Sequence, residues 1–286
     1  GHYNRGTLRL LLGEWPAGWA DFEWRWRNRR PLTGAPATLP QWRGEDLCGQ
    51  TVLLLGEQGY GDTIQFIRFA PVLQAKGARV IVHCRSPLHR LIAEAPGVDG
   101  VGVPGDTVDA QVWTPLMSLP FLLGTSEADI PAKDGYLCLT QRTAQAQGPR
   151  RIGLVWAGSP THGNDASRSM SLEDLAPILT CKDFAFYSLQ MGERRNDLRL
   201  DASAGRIVDV MSEVTDFRDT AKRLGKLDAL VSVDTAVAHL AGAMGLPTFV
   251  LLPYVPDWRW MLSRSDTPWY QSVRLFRQTT PGNWRG

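Results

Sequence analysis

Residues 227–253, LDALVSVDTAVAHLAGAMGLPTFVLLP, read as strand, helix and strand in direct succession. Ala229 to Val233 is a short apolar run with the composition of a strand buried on both faces, and it stops at the acid Asp234. Val237, Leu240, Ala241 and Met244 then recur at helical spacing, and Gly245 with Pro247 ends that segment before a second apolar run, Thr248 to Leu252. The unit predicts parallel-sheet structure. Asp234 or Thr235 is placed to cap the helix, whose first-turn N–H groups and positive dipole end face the carboxyl edge of the sheet. Open parallel sheets bind ligands at that edge, and a helix start there suits a phosphate or diphosphate. A capped crossover helix without a ligand has the same spacing.

The wording of the unit adds to its spacing. Asp234-Thr235-Ala236-Val237-Ala238-His239-Leu240-Ala241, followed by Gly245-Leu246-Pro247-Thr248, resembles the sugar-nucleotide signature of the heptosyltransferases, glycosyltransferase family nine. The resemblance implies that Asp234, Thr235 and Ala236 meet the diphosphate of a nucleotide-sugar donor. Ala236 stands where that family usually has glycine; one methyl group leaves the N–H groups available and narrows how closely a phosphate approaches.

With 286 residues and 43% hydrophobic content, the chain can bury a large core and is expected to divide into two domains or more. A net charge of +2 is too mild for a nucleic-acid partner, and no charge-free apolar run reaches the ~18 residues of a membrane span, so membrane contact is expected to be peripheral at most. Basic residues cluster from Arg25 to Arg30, which reads as a solvated helical face. Cys48, Cys84, Cys138 and Cys181 are scattered without C-x-x-C spacing, which predicts neither metal nor disulfides and fits a reducing cytoplasm.

The first 32 residues read as a helical hairpin, with Tyr3 to Leu12 and Ala17 to Arg27 as its helices and Pro31 at its end. Gly6, Gly13, Trp15, Gly18 and Phe22 with Pro31 resemble one tetratricopeptide repeat, from which Arg5 and Arg25 depart. A single repeat does not bury its own faces. The hairpin is therefore expected either to follow upstream helical repeats outside this chain or to be stapled to the next domain.

Residues 33–147 are expected to form the first Rossmann-like domain. A Pro- and Gly-rich stretch through Trp42 leads to a strand at Thr51 to Leu55, a glycine-rich loop, and a helix from Ile64 to Lys76; strands and helices then alternate to Leu123. The loop Gly56-Glu57-Gln58-Gly59-Tyr60-Gly61-Asp62-Thr63 matches neither the dinucleotide fingerprint nor a P-loop. It places Asp62 at a helix start on the carboxyl edge of the first strand, where a helix cap is one reading. The heptosyltransferases carry their catalytic carboxylate after the same strand, so the resemblance implies that Asp62 is a catalytic base. Gln58 and Tyr60, like His239 and Trp258 later in the chain, are assigned to acceptor contact or to packing.

Residues 148–262 are expected to form the second Rossmann-like domain, and 263–286 a tail in which Val273 to Arg277 returns to the first domain. Trp156-Ala157-Gly158-Ser159 leaves its first strand for a polar loop ending near Arg168. Ser159 is a candidate phosphate donor, and Arg168, where the family has a lysine, a candidate counter-charge for the diphosphate. Gln190 and Glu193 are candidates for the ribose, and Thr215 and Phe217 for the base. Two such halves resemble the glycosyltransferase B-type (GT-B) architecture, an α/β fold of two facing Rossmann-like domains, here preceded by the hairpin.

Together these readings predict an inverting, metal-independent glycosyltransferase. It needs no cofactor, takes a nucleotide-diphospho sugar as donor, and transfers the sugar to a hydroxyl of an acceptor protein or saccharide. The metal-independent part rests on the lack of an Asp-x-Asp. The rivals are a non-catalytic nucleotide-sugar-binding or helical-repeat scaffold module and a nucleotide-sugar epimerase; the missing Tyr-x-x-x-Lys counts against the latter.

Overall fold

The computed structural model describes residues 1–26, 32–132, 135–137, 148–200 and 205–285. Arg27 to Pro31, Cys138 and most of the polar stretch after Ala132, including Lys133 and residues 141–147, lie outside them. The chain forms two compact units, Gly1–Leu137 with Asp257–Leu262 and Cys138–Pro256 with Ser263–Gly286.

Among its described residues the first unit is built on four parallel strands: β1 (Thr51–Leu55), β2 (Arg79–His83), β3 (Gly100–Gly102) and β4 (Val112–Pro115), in the order β3-β2-β1-β4. Val52, Leu53, Leu54 and Leu55 are all buried, as expected of a central strand covered on both faces. Because the sheet order reverses beside β1, the segments leaving β1 and β4 frame a crevice at its carboxyl edge. The expected linker does dock: Trp42 is buried and donates its N–H to the Trp113 carbonyl at 2.8 Å.

Two helices, His2–Leu12 and Trp15–Phe22, precede this sheet and run on into a 3-10 turn, Glu23–Trp26. Gly13 turns between them at φ +85°, a conformation that favours glycine. A Cβ on Gly6 would lie 2.6 Å from the Phe22 nitrogen, so the glycine sets how closely the helices pack. Trp19 meets Phe66 and Trp258 edge-on, with centroids 6.3 and 5.3 Å away.

The hairpin is thus stapled within the first unit, and Arg25 is the staple. Its guanidinium donates to both oxygens of Glu57, Nε to Oε2 at 3.0 Å and Nη2 to Oε1 at 2.8 Å, and reaches Glu23 and Ser118 as well. Only 2% of either the Arg25 or the Glu57 side chain is exposed. The expectation of a solvated basic face therefore fails at Arg25, because the counter-ion comes from a loop 32 positions away that helical periodicity does not reveal. Arg5, the other departure from the repeat pattern, forks onto Asp21 at 2.6 Å.

Among its described residues the second unit has six parallel strands: β5 (Arg150–Val155), β6 (Phe184–Ser188), β7 (Ile207–Asp209), β8 (Ala229–Val233), β9 (Thr248–Leu252) and β10 (Val273–Arg277). Their order is β10-β9-β8-β5-β6-β7, the doubly wound arrangement, with its reversal between β5 and β8. One expectation about the C-terminus is corrected. Val273–Arg277 does not return to the first unit but pairs with β9, Val273 opposite Thr248 and Leu275 opposite Val250. Val273 and Leu275 alternate inward on that ladder, which buries them at the edge of the six-stranded sheet. The stretch that does belong with the first unit is Asp257–Leu262.

Candidate functional site

The reversal between β5 and β8 puts the segment leaving β5, Trp156 to Ser159, beside the one leaving β8, Asp234 to Ala236. Arg168 joins the two. It closes a helical turn, Asp165–Arg168, and its Nη1 donates to the Asp234 carbonyl at 3.1 Å while Nε lies 3.3 Å from Asp165 Oδ1. The guanidinium packs so tightly on Gly158 that a Cβ there would sit 2.7 Å from Arg168 Cζ. The Gly158 N–H is fixed by Ser169 Oγ at 2.9 Å, and Ser169 donates in turn to Asp165 at 2.9 Å. Ser159 is exposed beside this cluster, its hydroxyl 2.8 Å from that of Thr161.

The helix Ala236–Ala243 starts at the same edge, with Thr235 as its extended N-cap. Contrary to expectation, the N-cap residue Thr235 does not cap it through its side chain; the Thr235 hydroxyl instead lies 3.1 Å from Ser232 Oγ. The Ala238 N–H turns back to the Thr235 carbonyl at 3.0 Å, and Asp234, Thr235 and Ala236 at the helix start are all partly exposed. His239 lies below them, 5% exposed, with Nδ1 2.9 Å from the Tyr270 hydroxyl and Nε2 3.9 Å from Asp234 Oδ1.

Two of the nucleoside candidates are held by other partners. Gln190 is buried, and its Oε1 accepts from the N–H groups of Trp156 at 3.0 Å and Ala157 at 2.9 Å. Its Nε2 donates to the carbonyls of Ala157 at 3.0 Å and Met191 at 2.9 Å. All four hydrogen-bonding positions of the amide are taken, so Gln190 fastens the β5 loop. The Thr215 hydroxyl donates to Asp219 at 2.9 Å, at the start of the helix Phe217–Leu224 that Asp216 caps. That bond and the one from Lys222 hold the Asp219 carboxyl at about 2. Glu193 is exposed at the start of a 3-10 turn, and Phe217 is half-buried.

In the first unit, Gln58 adopts φ +57° and its carbonyl accepts from Arg85 at 2.7 Å; the Arg85 guanidinium lies 5.3 Å from the Tyr60 ring centroid. The helix begins at Tyr60, earlier than expected, so Asp62 occupies its third position. Asp62 Oδ2 accepts the Gly59 N–H at 2.6 Å, as a capping carboxylate does. Its Oδ1 is ion-paired with Arg259. Burial pushes the Asp62 carboxyl above the ordinary range, against the pull of Arg259 and the Gly59 N–H. About 15% of its side chain remains exposed.

Arg259 is the residue that sequence reasoning missed. Its Nε donates to Gln65 Oε1 and its Nη1 to Asp257 Oδ1, both at 2.7 Å, and its guanidinium stacks 4.3 Å from the Trp258 centroid. Trp258 itself packs on Trp19 and Phe22. A signal for Arg259 existed: a cation between two tryptophans in a rigid segment must find an anion if the tryptophans are buried. Among the described residues no group of three or more His, Cys, Asp or Glu side chains could hold a metal ion.

No family model matches the chain. It is similar to Protein FlbA of Caulobacter vibrioides, 26% identical over an alignment of 327 positions that takes in 99% of the chain and 52% of FlbA. The chain thus spans about half the length of that relative. Among solved structures it is similar to the Escherichia coli ADP-heptose lipopolysaccharide heptosyltransferase II (TM-score 0.53, 14% identity, 80% of this chain and 91% of that one). It is also similar to the dodecameric iron-containing heptosyltransferase TibC in complex with ADP-D-β-D-heptose (TM-score 0.57, 12% identity, 84% and 65%). A third is the family-nine glycosyltransferase of Veillonella parvula (TM-score 0.53, 9% identity, 83% and 88%). The α/β fold of this chain is the fold of the heptosyltransferases.

Proposed function

We propose that the chain is a glycosyltransferase that takes a nucleotide-diphospho sugar on its second unit and transfers the sugar to an acceptor hydroxyl with inversion, without a metal. The observation that carries this reading is the cluster of Arg168, Gly158, Asp234 and the partly exposed helix start at the β5/β8 reversal. A guanidinium and the positive end of a helix together match the charge of a departing diphosphate. Asp62 takes the proton of the acceptor hydroxyl as the anomeric carbon is attacked, and burial, which raises its basicity, suits that task. The ADP-heptose named with TibC supports a nucleotide sugar as donor. For the acceptor we favour a protein over a saccharide, on the hairpin's likeness to a peptide-binding repeat.

Thermal-shift measurements with nucleoside diphosphates and their sugars test the donor half of this reading. Stabilisation that Arg168→Ala abolishes is the expected result; no stabilisation by any nucleotide would overturn it. One observation favours a second reading, a binding module without chemistry: both Asp62 oxygens already have partners, Gly59 and Arg259. Sugar transfer that is lost in Asp62→Asn decides against it.

A further inference from the structure

We propose that Arg259 is the positioning residue for Asp62, a fixed guanidinium that orients the carboxylate and favours its charged form while it waits for an acceptor. The inference rests on the glycosyltransferase reading for its purpose but not for its test. Arg259 is held at three points besides Asp62: Gln65 on Nε, Asp257 on Nη1, and the face of Trp258. Only 8% of its side chain is exposed. A cation so confined lacks the freedom to follow a substrate, so it serves the acid it already touches. Trp258 is in turn wedged against Trp19 and Phe22, which fixes the height of the guanidinium.

The arrangement answers a difficulty set by burial. An aspartate this enclosed tends to hold its proton, and a protonated Asp62 accepts none. The charged groups around it are Arg259, which favours ionisation, and Asp257 and Glu57, which oppose it; Glu57 is itself neutralised by Arg25. Arg85 faces the same loop through the Gln58 carbonyl. Arg259 is therefore the cation in direct contact that counters the effect of burial. Its fork also leaves Oδ2 to the Gly59 N–H, so the carboxylate is gripped from two sides and its remaining lone pairs take a defined direction.

The experiment is a carbon-13 titration of the Asp62 carboxyl in aspartate-labelled full chain, assigned by its loss in Asp62→Asn. In Arg259→Gln the midpoint should rise by about one pH unit or more, as expected when an adjacent guanidinium is removed from an aspartate. In Arg259→Lys, whose compact charge does not reach all the partners of the fork, it should rise by less. A midpoint that stays or falls in Arg259→Gln overturns the proposal. If that variant does not fold, a midpoint in Arg259→Lys at or below that of the unaltered chain does the same. Nucleoside-diphosphate binding by the second unit should be unchanged throughout, and any transfer activity should show its acid limb displaced by the same interval. A shifted midpoint in a chain that transfers no sugar would refute the enzyme reading and leave the role of Arg259 standing.

Discussion

Replacing Arg25 by methionine removes the cation from a pair whose members are each 2% exposed. Glu57 would keep the Met117 N–H, at 3.2 Å, and lose both bonds from the guanidinium; Glu23 and Ser118 would each lose one as well. Breaking a buried pair from one side costs about 3–5 kcal/mol, because the remaining charge is neither solvated nor paired. At about 2–4 °C per kcal/mol for chains of this size, the first unit should melt on the order of 10 °C lower. Burial already raises the Glu57 carboxyl above its ordinary value, and Arg25 opposes that rise, so its removal sends the group higher still. A group raised in the folded state contributes stability below its unfolded value and loses it as pH climbs through the folded one. The deficit of Arg25→Met should therefore be small near about pH 5 and grow towards about pH 8. Thermal melts followed by tryptophan fluorescence at both values, with Glu57→Gln and the double variant closing the cycle, measure this. A loss below about 1 kcal/mol, or one that does not change with pH, would refute the argument.

Three further outcomes follow from the same geometry. Asp62→Asn should lower sugar transfer by about 10²-fold or more while leaving donor affinity within about twofold, a split visible in kcat against KM. Arg168→Ala should weaken nucleoside-diphosphate binding by about tenfold or more, and Gly158→Ala should do likewise without removing any charge, because its methyl group collides with the guanidinium; calorimetric titration reads both. Gln190→Leu should cost about 2–4 kcal/mol of stability by orphaning buried backbone groups of Trp156 and Ala157, which denaturant unfolding of the chain would show.

Much of the second sheet was legible in the residues that form it. Ala229–Val233 and Thr248–Leu252 are strands at the positions expected, since continuous apolar runs bounded by Asp234 and Pro247 leave little choice of element. Helix ends were less legible. The run expected from Ile64 begins at Tyr60 and breaks into a 3-10 turn at Ile67–Phe69, and β7 escaped notice because three residues carry too short a period. At the site, Arg168 and Asp234 could be placed by motif, and they do meet. The partners of Asp62, Arg25 and Gln190 could not. Arg259 lies 197 positions from Asp62 and Trp156 34 from Gln190, and no local pattern encodes which distant backbone or acid a polar side chain will reach.

The excursion of residues 257–262 away from β9 and back to β10 has a practical meaning for dissecting the molecule. A fragment ending at Leu137 would fold around a hole where Trp258 and Trp260 belong, and its aspartate would have no guanidinium. A fragment beginning near residue 148 would carry six orphaned residues, two of them large and oily. The halves are not separable goods: any chimera that trades one of them for a relative's must take this short strap from the same parent as the hairpin and Asp62 loop it plugs.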